Sequence, residues 1–428
     1  MEHQAVLLAG GTATRMYPLT NGNVSKHFLP IANRPMISYQ IEMLEKASFR
    51  SVIILITSQS AELMKNFILH YKGPLKITVH EVPEKLGTAE AVVHAKQYLT
   101  GDFVVVAGDL ILDPINIRNM IDVHRIKDAS CVMLAKKKPD LNEYLDYIGL
   151  EDVVDEENLK KLIVYLPSSN TSSTVQIQRS ALVGHPNITI HNKLLDAHFY
   201  VFSHWVLEVM EKLPYPKSIK SSLLPKLIEL QNGVMDQDLL GHDTPEEALC
   251  DPLADKSHSL LSKKTSDRFS CFVYLAGSSV YCGRAHTSKS FMDINRDVAK
   301  GITPFAPTET KNERGAFVAG NAKIDPKSTV GALSIVGAKT TMGAKGSVKH
   351  SVIGKNCTFG NGVKVINSIV LDGVTTEDGV TINNSIVCSG AILKQGSNIT
   401  ASTVDYNTIA LENSVVSKQI LRQDHISE

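Results

Sequence analysis

The stretch Ile324-Asp325-Pro326-Lys327-Ser328-Thr329-Val330-Gly331-Ala332-Leu333-Ser334-Ile335-Val336-Gly337 decides how the last quarter of the chain folds. Apolar residues return in it at every sixth position, and the beat continues through Met342 and Val348. After a slip it resumes at Ile353, Phe359, Val365 and Leu371, and again at Val374, Val380, Ile386 and Ile392. Gly331, Gly337, Gly343, Gly354 and Gly360 each follow one of these residues. Such a period marks a hexapeptide-repeat, left-handed parallel β-helix. Short strands make flat faces, the apolar residue points inward, and glycine or asparagine turns the corner. Alternation in an antiparallel sandwich does not hold one phase over so many positions. The slips near Ser351 and Val374 predict corner insertions or faces recut for a neighbour. A coil of this kind is a stacking and docking surface rather than a catalyst.

Upstream, apolar β-branched runs alternate with amphipathic stretches. Ala5–Leu8, Val52–Ile56, Ile77–Val79, Phe103–Val106 and Cys131–Leu134 read as buried strands. Pro35–Ala47, Ala61–Tyr71, Thr88–Leu99 and Pro114–Ile126 read as helices, with Pro35 and Pro114 in first turns, where a missing N–H costs nothing. This alternation predicts a Rossmann-like α/β domain with a mostly parallel sheet, whose ligands lie beyond the carboxyl ends of the strands. The expected division is an α/β domain over residues 1–300, a linker over 301–315, the coil over 316–420 and a tail over 421–428. From Met235 to Asp255 seven acidic residues stand without lysine or arginine, so a flexible acidic insertion is expected at about 233–266. The polar run Ser168–Ser173 predicts another loop.

Bulk properties exclude several classes. The 428 residues carry zero formal net charge with 21% charged residues, which gives no electrostatic case for nucleic acid or anionic membrane. No apolar run reaches the length of about 20 residues that spans a bilayer, and Met1-Glu2-His3-Gln4 lacks the basic start of a signal peptide. Six cysteines lie scattered, without the paired spacing of zinc or redox sites, as expected in a reducing cytosol.

The loop after the first strand reads Leu8-Ala9-Gly10-Gly11-Thr12-Ala13-Thr14-Arg15-Met16-Tyr17-Pro18-Leu19-Thr20. Glycines, hydroxyls and an arginine after a strand can wrap backbone N–H groups around a phosphate. Lys26-His27-Phe28-Leu29-Pro30 and Asn33-Arg34-Pro35-Met36 follow, then Leu86-Gly87-Thr88-Ala89 and Gly108-Asp109. Together these segments resemble the sugar-phosphate nucleotidyltransferases. The resemblance implies that Gly10, Gly11 and Arg15 hold nucleotide phosphates, that Lys26 neutralises charge, that Gly87 and Thr88 contact the base, and that Asp109 holds magnesium.

The same comparison exposes departures. The third loop glycine is Ala13, and the proline before the lysine is Ser25. The sugar-binding Glu-Lys-Pro segment corresponds to Leu162-Ile163-Val164-Tyr165-Leu166-Pro167, with no lysine beside the proline. Asp196-Ala197-His198-Phe199-Tyr200 places His198 where a glycine leaves room for the sugar ring. Counting back from Phe291-Met292-Asp293-Ile294-Asn295-Arg296 puts Arg284 in place of the second magnesium-binding aspartate, beside which Asp109 is at most a vestigial ligand. No catalytic residue and no cofactor is therefore expected, and Gly10, Gly11, Arg15, Lys26, Gly87 and Thr88 become vestigial nucleotide-binding candidates.

Within this superfamily the opening Glu2–Val6, the Asp196–Tyr200 segment, the run from Tyr281 to Arg296 and the coil around Ser351–Cys357 resemble the gamma-subunit family of translation initiation factor 2B. That resemblance implies a cytosolic, non-catalytic subunit of a guanine-nucleotide exchange factor. Its implied partners are an epsilon subunit, the alpha, beta and delta subunits, and initiation factor 2 as substrate, with neither nucleic acid nor membrane. The alternatives are an active pyrophosphorylase making GDP-mannose or ADP-glucose, or a regulatory subunit of one.

Overall fold

The computed structural model describes residues 3–11, 13–21, 24–137, 146–153, 157–168, 177–185, 187–215, 217–233, 269–277 and 279–422. The acidic stretch expected at about 233–266, most of the Ser168–Ser173 loop and most of the 421–428 tail lie outside them. Contacts divide the chain into two units, Met1–Gly11 with Ile41–Cys282, and Thr12–Gln40 with Gly283–Glu428.

The first unit is built on a sheet of ten strands: β1 (Gln4–Ala9), β2 (Ser51–Ile56), β3 (Lys76–Glu81), β4 (Phe103–Ala107), β5 (Cys131–Lys137), β6 (Tyr147–Asp152), β7 (Leu159–Leu166), β8 (Thr189–His191), β9 (Leu194–Phe202) and β10 (Cys271–Leu275). Their order is β8-β6-β7-β10-β5-β9-β4-β1-β2-β3. β1 runs parallel to β2 and β4, and β2 to β3, as the alternating pattern requires. The other half differs: β9 inserts antiparallel between β4 and β5, and β6, β7 and β8 pair antiparallel, so the sheet is mixed. Val6, Phe103, Val105, Met133, Tyr200 and Phe202 are buried in one core, which closes on helix residues such as Val92, Leu207 and Leu227.

The helices largely follow the sequence. They are α1 (Met36–Lys46), α2 (Ser58–His70), α3 (Thr88–His94) and α4 (Pro114–Ile126). α4 begins at Pro114 because the Asp113 side chain accepts from the Ile115 N–H, satisfying an orphan donor of the first turn. Two expectations need correction. Pro35 does not open α1; it sits in a short strand with Arg34, paired to Pro30–Ile31, and Met36 N donates to Leu29 O. The helix expected over Thr88–Leu99 stops at His94 and becomes a 3₁₀ turn over Lys96–Tyr98, a break that no glycine or proline announces.

In the second unit the coil has three faces of parallel strands. Paired residues lie 18 apart in the first turn (Phe317 with Ile335, Thr329 with Ser347). They lie 17 apart afterwards (Ser347 with Lys364, Ile369 with Ile386). The difference is one shortened corner per turn, at His350, Asn367, Asn384, Ala401 and Lys418, all with positive φ. Inward residues are therefore six apart across two corners and five apart across the third, as in Val348 to Ile353 and Val365 to Val370. This corrects the sequence reading. The slip near Ser351 is a deletion rather than an insertion, and it recurs. Val374 marks no break: it and Val380 occupy a second inward position, two residues before Thr376 and Ile382.

On the shortened edge that second inward position holds Ser351, Ser368, Ser385 and Ser402, all buried. Each hydroxyl donates to the carbonyl two residues earlier, at 2.6–2.8 Å. It also accepts the backbone N–H of the equivalent residue one turn on, at 3.1–3.3 Å. A polar ladder thus threads an apolar core with its partners supplied. The glycines after inward residues have a different reason from the one expected. Gly337 and Gly354 have ordinary φ, but a Cβ there would lie 2.5 Å from Gly354 O and from Asp372 Oδ1. Space, rather than backbone freedom, selects glycine at these two positions.

Candidate functional site

Within the first unit, Gly10 and Gly11 end β1. A Cβ on Gly10 would touch Val82 and Thr57, whereas one on Gly11 would meet nothing within 4 Å. Asp109 is buried in the turn between β4 and Leu110–Leu112. Gly87 and Thr88 start α3, and both are engaged by the protein itself. The Lys217 carbonyl accepts from Ala89 N at 3.0 Å and occupies the space a Gly87 Cβ would need. Thr88 Oγ1 accepts from Ile219 N at 2.9 Å. The turn expected to read a base is thus closed by residues 217–219.

The segments implied to bind sugar are bonded to one another. Asp196 Oδ2 accepts from Tyr200 OH at 2.5 Å, and Asp196 Oδ1 from His198 N at 2.7 Å. Tyr165 OH lies 3.3 Å from Asp196 Oδ2 and 3.2 Å from Asp146 Oδ2, sharing its proton between them. Lys220 Nζ reaches Asp146 Oδ2 at 2.8 Å, and Ser168 N donates to Asp146 Oδ1 at 2.9 Å. Both carboxylates are buried, so the lysine and four donors offset what desolvation would otherwise penalise. Burial, then the charge of Asp196, pushes the Tyr165 hydroxyl well above its usual range, which keeps it a donor.

Local structure explains the arrangement. Lys220 lies in a π-turn, Ile219–Leu223, that runs into α5 (Leu224–Gln231). Pro225 has no N–H to continue the α-helical ladder backward, a common cause of such irregularity. His198 has φ 55°, and a bulge separates Asp196 from Tyr200 against β5. A glycine would take this left-handed backbone freely. Sequence reasoning singled out Asp196, His198 and Tyr200 but missed Asp146 and Lys220. Neither sits in a motif, and only the unpaired chemistry of Tyr165 in an apolar strand hinted at partners.

In the second unit, Ala13 has φ 48°, the conformation for which a third glycine is suited, at a cost of about 1 kcal/mol for a side chain. Ser25 keeps φ −66°, the angle a proline would fix. Arg15 is exposed in the 3₁₀ turn Thr14–Met16, and Lys26 starts the 3₁₀ turn Lys26–Phe28. The residues around them are tied to the coil. Asn21 Nδ2 donates to Asp405 Oδ2 at 2.8 Å, Tyr406 OH to Leu19 O at 2.7 Å, and Asn33 Nδ2 to Ile353 O at 3.0 Å.

The Asn295-Arg296 pair serves the same end. It lies on α6 (Ser288–Lys300), which Thr287 and Ser290 cap. Asn295, fully buried, accepts from Ala32 N at 2.8 Å. Arg296 donates to Asn367 O at 2.6 Å and Asn384 Oδ1 at 3.1 Å, on the shortened edge of the coil. Arg284 ends the strand Cys282–Arg284, and its carbonyl lies 3.2 Å from His286 Nδ1.

These two patterns, a nucleotidyltransferase-type loop and a coil bonded to it, agree with known proteins. The family model described as Nucleotidyl transferase matches residues 4–147, and that described as EIF2B subunit epsilon LbH domain, a left-handed β-helix, matches residues 313–418. The chain is 31% identical to translation initiation factor eIF2B subunit gamma of Dictyostelium discoideum, over 82% of this chain and 87% of the relative. The chain belongs to the eIF2B gamma-subunit family. A second member, from Schizosaccharomyces pombe, is 30% identical over 71% of this chain and 67% of its own length. The wider superfamily is also visible: mannose-1-phosphate guanylyltransferase 1 of Arabidopsis thaliana is 28% identical over 53% of this chain and 57% of the relative. The α/β region and the left-handed coil expected from sequence are thus both found. Among the described residues no helix is long and apolar enough to cross a membrane.

Proposed function

We propose that the chain acts as the non-catalytic gamma subunit of initiation factor 2B, in the cytosol. It pairs with an epsilon subunit, joins the alpha, beta and delta subunits, and supports GDP/GTP exchange on initiation factor 2. One observation carries the non-catalytic reading. Asp146, Tyr165, Asp196, Tyr200 and Lys220 saturate each other in the region that sugar-binding residues occupy in the enzymes. A sugar hydroxyl entering there must displace buried, charge-assisted hydrogen bonds. Gly10, Gly11, Arg15, Lys26, Gly87 and Thr88 are in this reading remnants of a nucleotide loop, and Asp109 a remnant of a metal ligand. In this reading the functional division is an α/β domain over 1–300, a linker over 301–315 and a coil over 316–420.

Exchange requires no covalent step. It requires a surface that binds the nucleotide-free substrate factor more tightly than the loaded one. Co-expression with an epsilon subunit and affinity capture tests the pairing, and release of labelled GDP from initiation factor 2 tests the outcome. The pair is expected to accelerate release beyond epsilon alone. Pyrophosphate released from GTP, mannose 1-phosphate and Mg²⁺ above the blank rate would overturn the non-catalytic reading.

A further inference from the structure

At the end of the sheet opposite Gly10 and Asp109, three side chains converge. Gln4 and Phe103 are register partners in β1 and β4, so the residues before them, His3 and Asp102, stand side by side. His124 comes up beneath from the last turn of α4. One ligand atom from each of the three lies within 4.8 Å of the others, and the His3 and His124 rings meet edge to face at 5.7 Å between centroids. His124 is only 2% exposed.

The hydrogen bonds fix the tautomer of His124. Ser203 Oγ donates its one proton to Ala129 O at 2.8 Å, so at 3.3 Å from His124 Nε2 it must accept. Nε2 therefore carries the hydrogen and Nδ1 presents a lone pair. Nδ1 has no hydrogen-bond partner among the described residues and lies 3.8 Å from Asp102 Oδ2. The other carboxylate oxygen, Oδ1, is already held by His204 N at 2.9 Å. A buried lone pair and a carboxylate oxygen thus face each other, two acceptors that a bound cation would satisfy together.

We propose that His3, Asp102 and His124 bind a divalent transition-metal ion of the zinc type, with water completing its shell. Two imidazoles and one carboxylate form a donor set for zinc. Ser203 on Nε2 and His204 N on Oδ1 are the outer partners that orient such ligands. The carbonyls at the end of α4 add a favourable field for a cation. Ligands at about 2.0–2.1 Å around zinc sit about 3.4 Å apart. The Asp102 side chain, 41% exposed, has the freedom to close that gap. The ion would pin the start of strand β1 to β4 and α4, which is a structural role at a site unrelated to nucleotide chemistry.

The test uses the full chain without a histidine tag, stripped with chelator and titrated with cobalt(II) and then zinc chloride. One cobalt per chain is expected to give visible d–d absorption that zinc displaces, and zinc is expected to raise the thermal midpoint by about 3 °C. Asp102→Asn, isosteric and on an exposed side chain, and His3→Gln are each expected to weaken binding at least tenfold. Asp128→Asn, outside the trio, is expected to leave binding unchanged. Absence of a saturable cobalt spectrum would overturn the proposal, as would identical binding by Asp102→Asn and His3→Gln with native circular dichroism.

Discussion

The coil and the α/β region solve the same problem, burying polar atoms, in opposite ways. In the coil each serine is satisfied by its counterpart one turn later, so one local rule applied repeatedly makes the whole edge. In the α/β region Asp146, Tyr165, the β9 pair Asp196 and Tyr200, and Lys220 come from distant segments and meet once. A ladder distributes its dependence over many equivalent bonds, whereas a knot concentrates it in two carboxylates. Mutations that separate local from long-range dependence test this contrast.

The largest effect is expected from charge inside the coil. Val365→Asp places a carboxylate at a fully buried inward position and should destabilise by about 4 kcal/mol or more. Val415→Asp, next to inward Val416 but 72% exposed, should change stability by under about 0.5 kcal/mol. Thermal unfolding of the pair reads the register directly, and equal effects would break it. In the knot, Asp196→Ala removes the acceptor of Tyr200 OH and of the His198 N–H and leaves Tyr165 OH with Asp146 alone, at about 3 kcal/mol in denaturant unfolding. If the knot is what blocks the sugar, this variant still gains no pyrophosphorylase activity, because Ala13 and Arg284 are unchanged.

A single rung should matter less. Ser368→Ala removes the acceptor for Ser385 N and is expected to cost about 1–2 kcal/mol. Ser351→Ala combined with it should be close to additive, because the bond between the two rungs uses the Ser368 backbone N–H, which alanine keeps. The smallest effect is on pH. Burial pushes the Cys357 thiol up to about 11 from an ordinary value of 9.0. The unfolded chain loses this proton first, so the thiol's contribution is intact below about pH 9 and is lost as pH rises toward 11. Cys357→Ala should flatten the stability curve in that window. The five described cysteines, all buried, should resist alkylation at pH 8 until the protein unfolds.

The contrast also explains what the sequence revealed. The coil was legible because its inward residues are neighbours in a period, and Val330, Val336, Met342 and Val348 sit where the beat put them. It was misread only where the period is mixed: the step from Val348 to Ile353 looks like an accident until it recurs at Val365 and Val370. Strands β1, β2, β4 and β5 were legible from composition, whereas the antiparallel insertion of β9 depends on pairing between distant segments. At the site, Asp196 and His198 were found by their motif. Lys220 was invisible because a π-turn, set by chain geometry near Pro225, aims it at Asp146. The His3–Asp102–His124 trio escaped for the same reason, since its members share only a sheet end and a helix terminus.

The seventeen-residue turn has an evolutionary consequence. Any insertion or deletion that is not a whole turn displaces every later serine from its partner, and one that falls between Asn367 and Asn384 also breaks the pairing of those two residues under Arg296. Removing residues 368–384 instead joins Asn367 to Ser385 and leaves the same bonding pattern on both sides of the join. Descent should therefore lengthen or shorten this coil only in whole-turn steps, added beyond the turns that Arg296 grips, so that coil length among relatives becomes a discrete character rather than a continuous one.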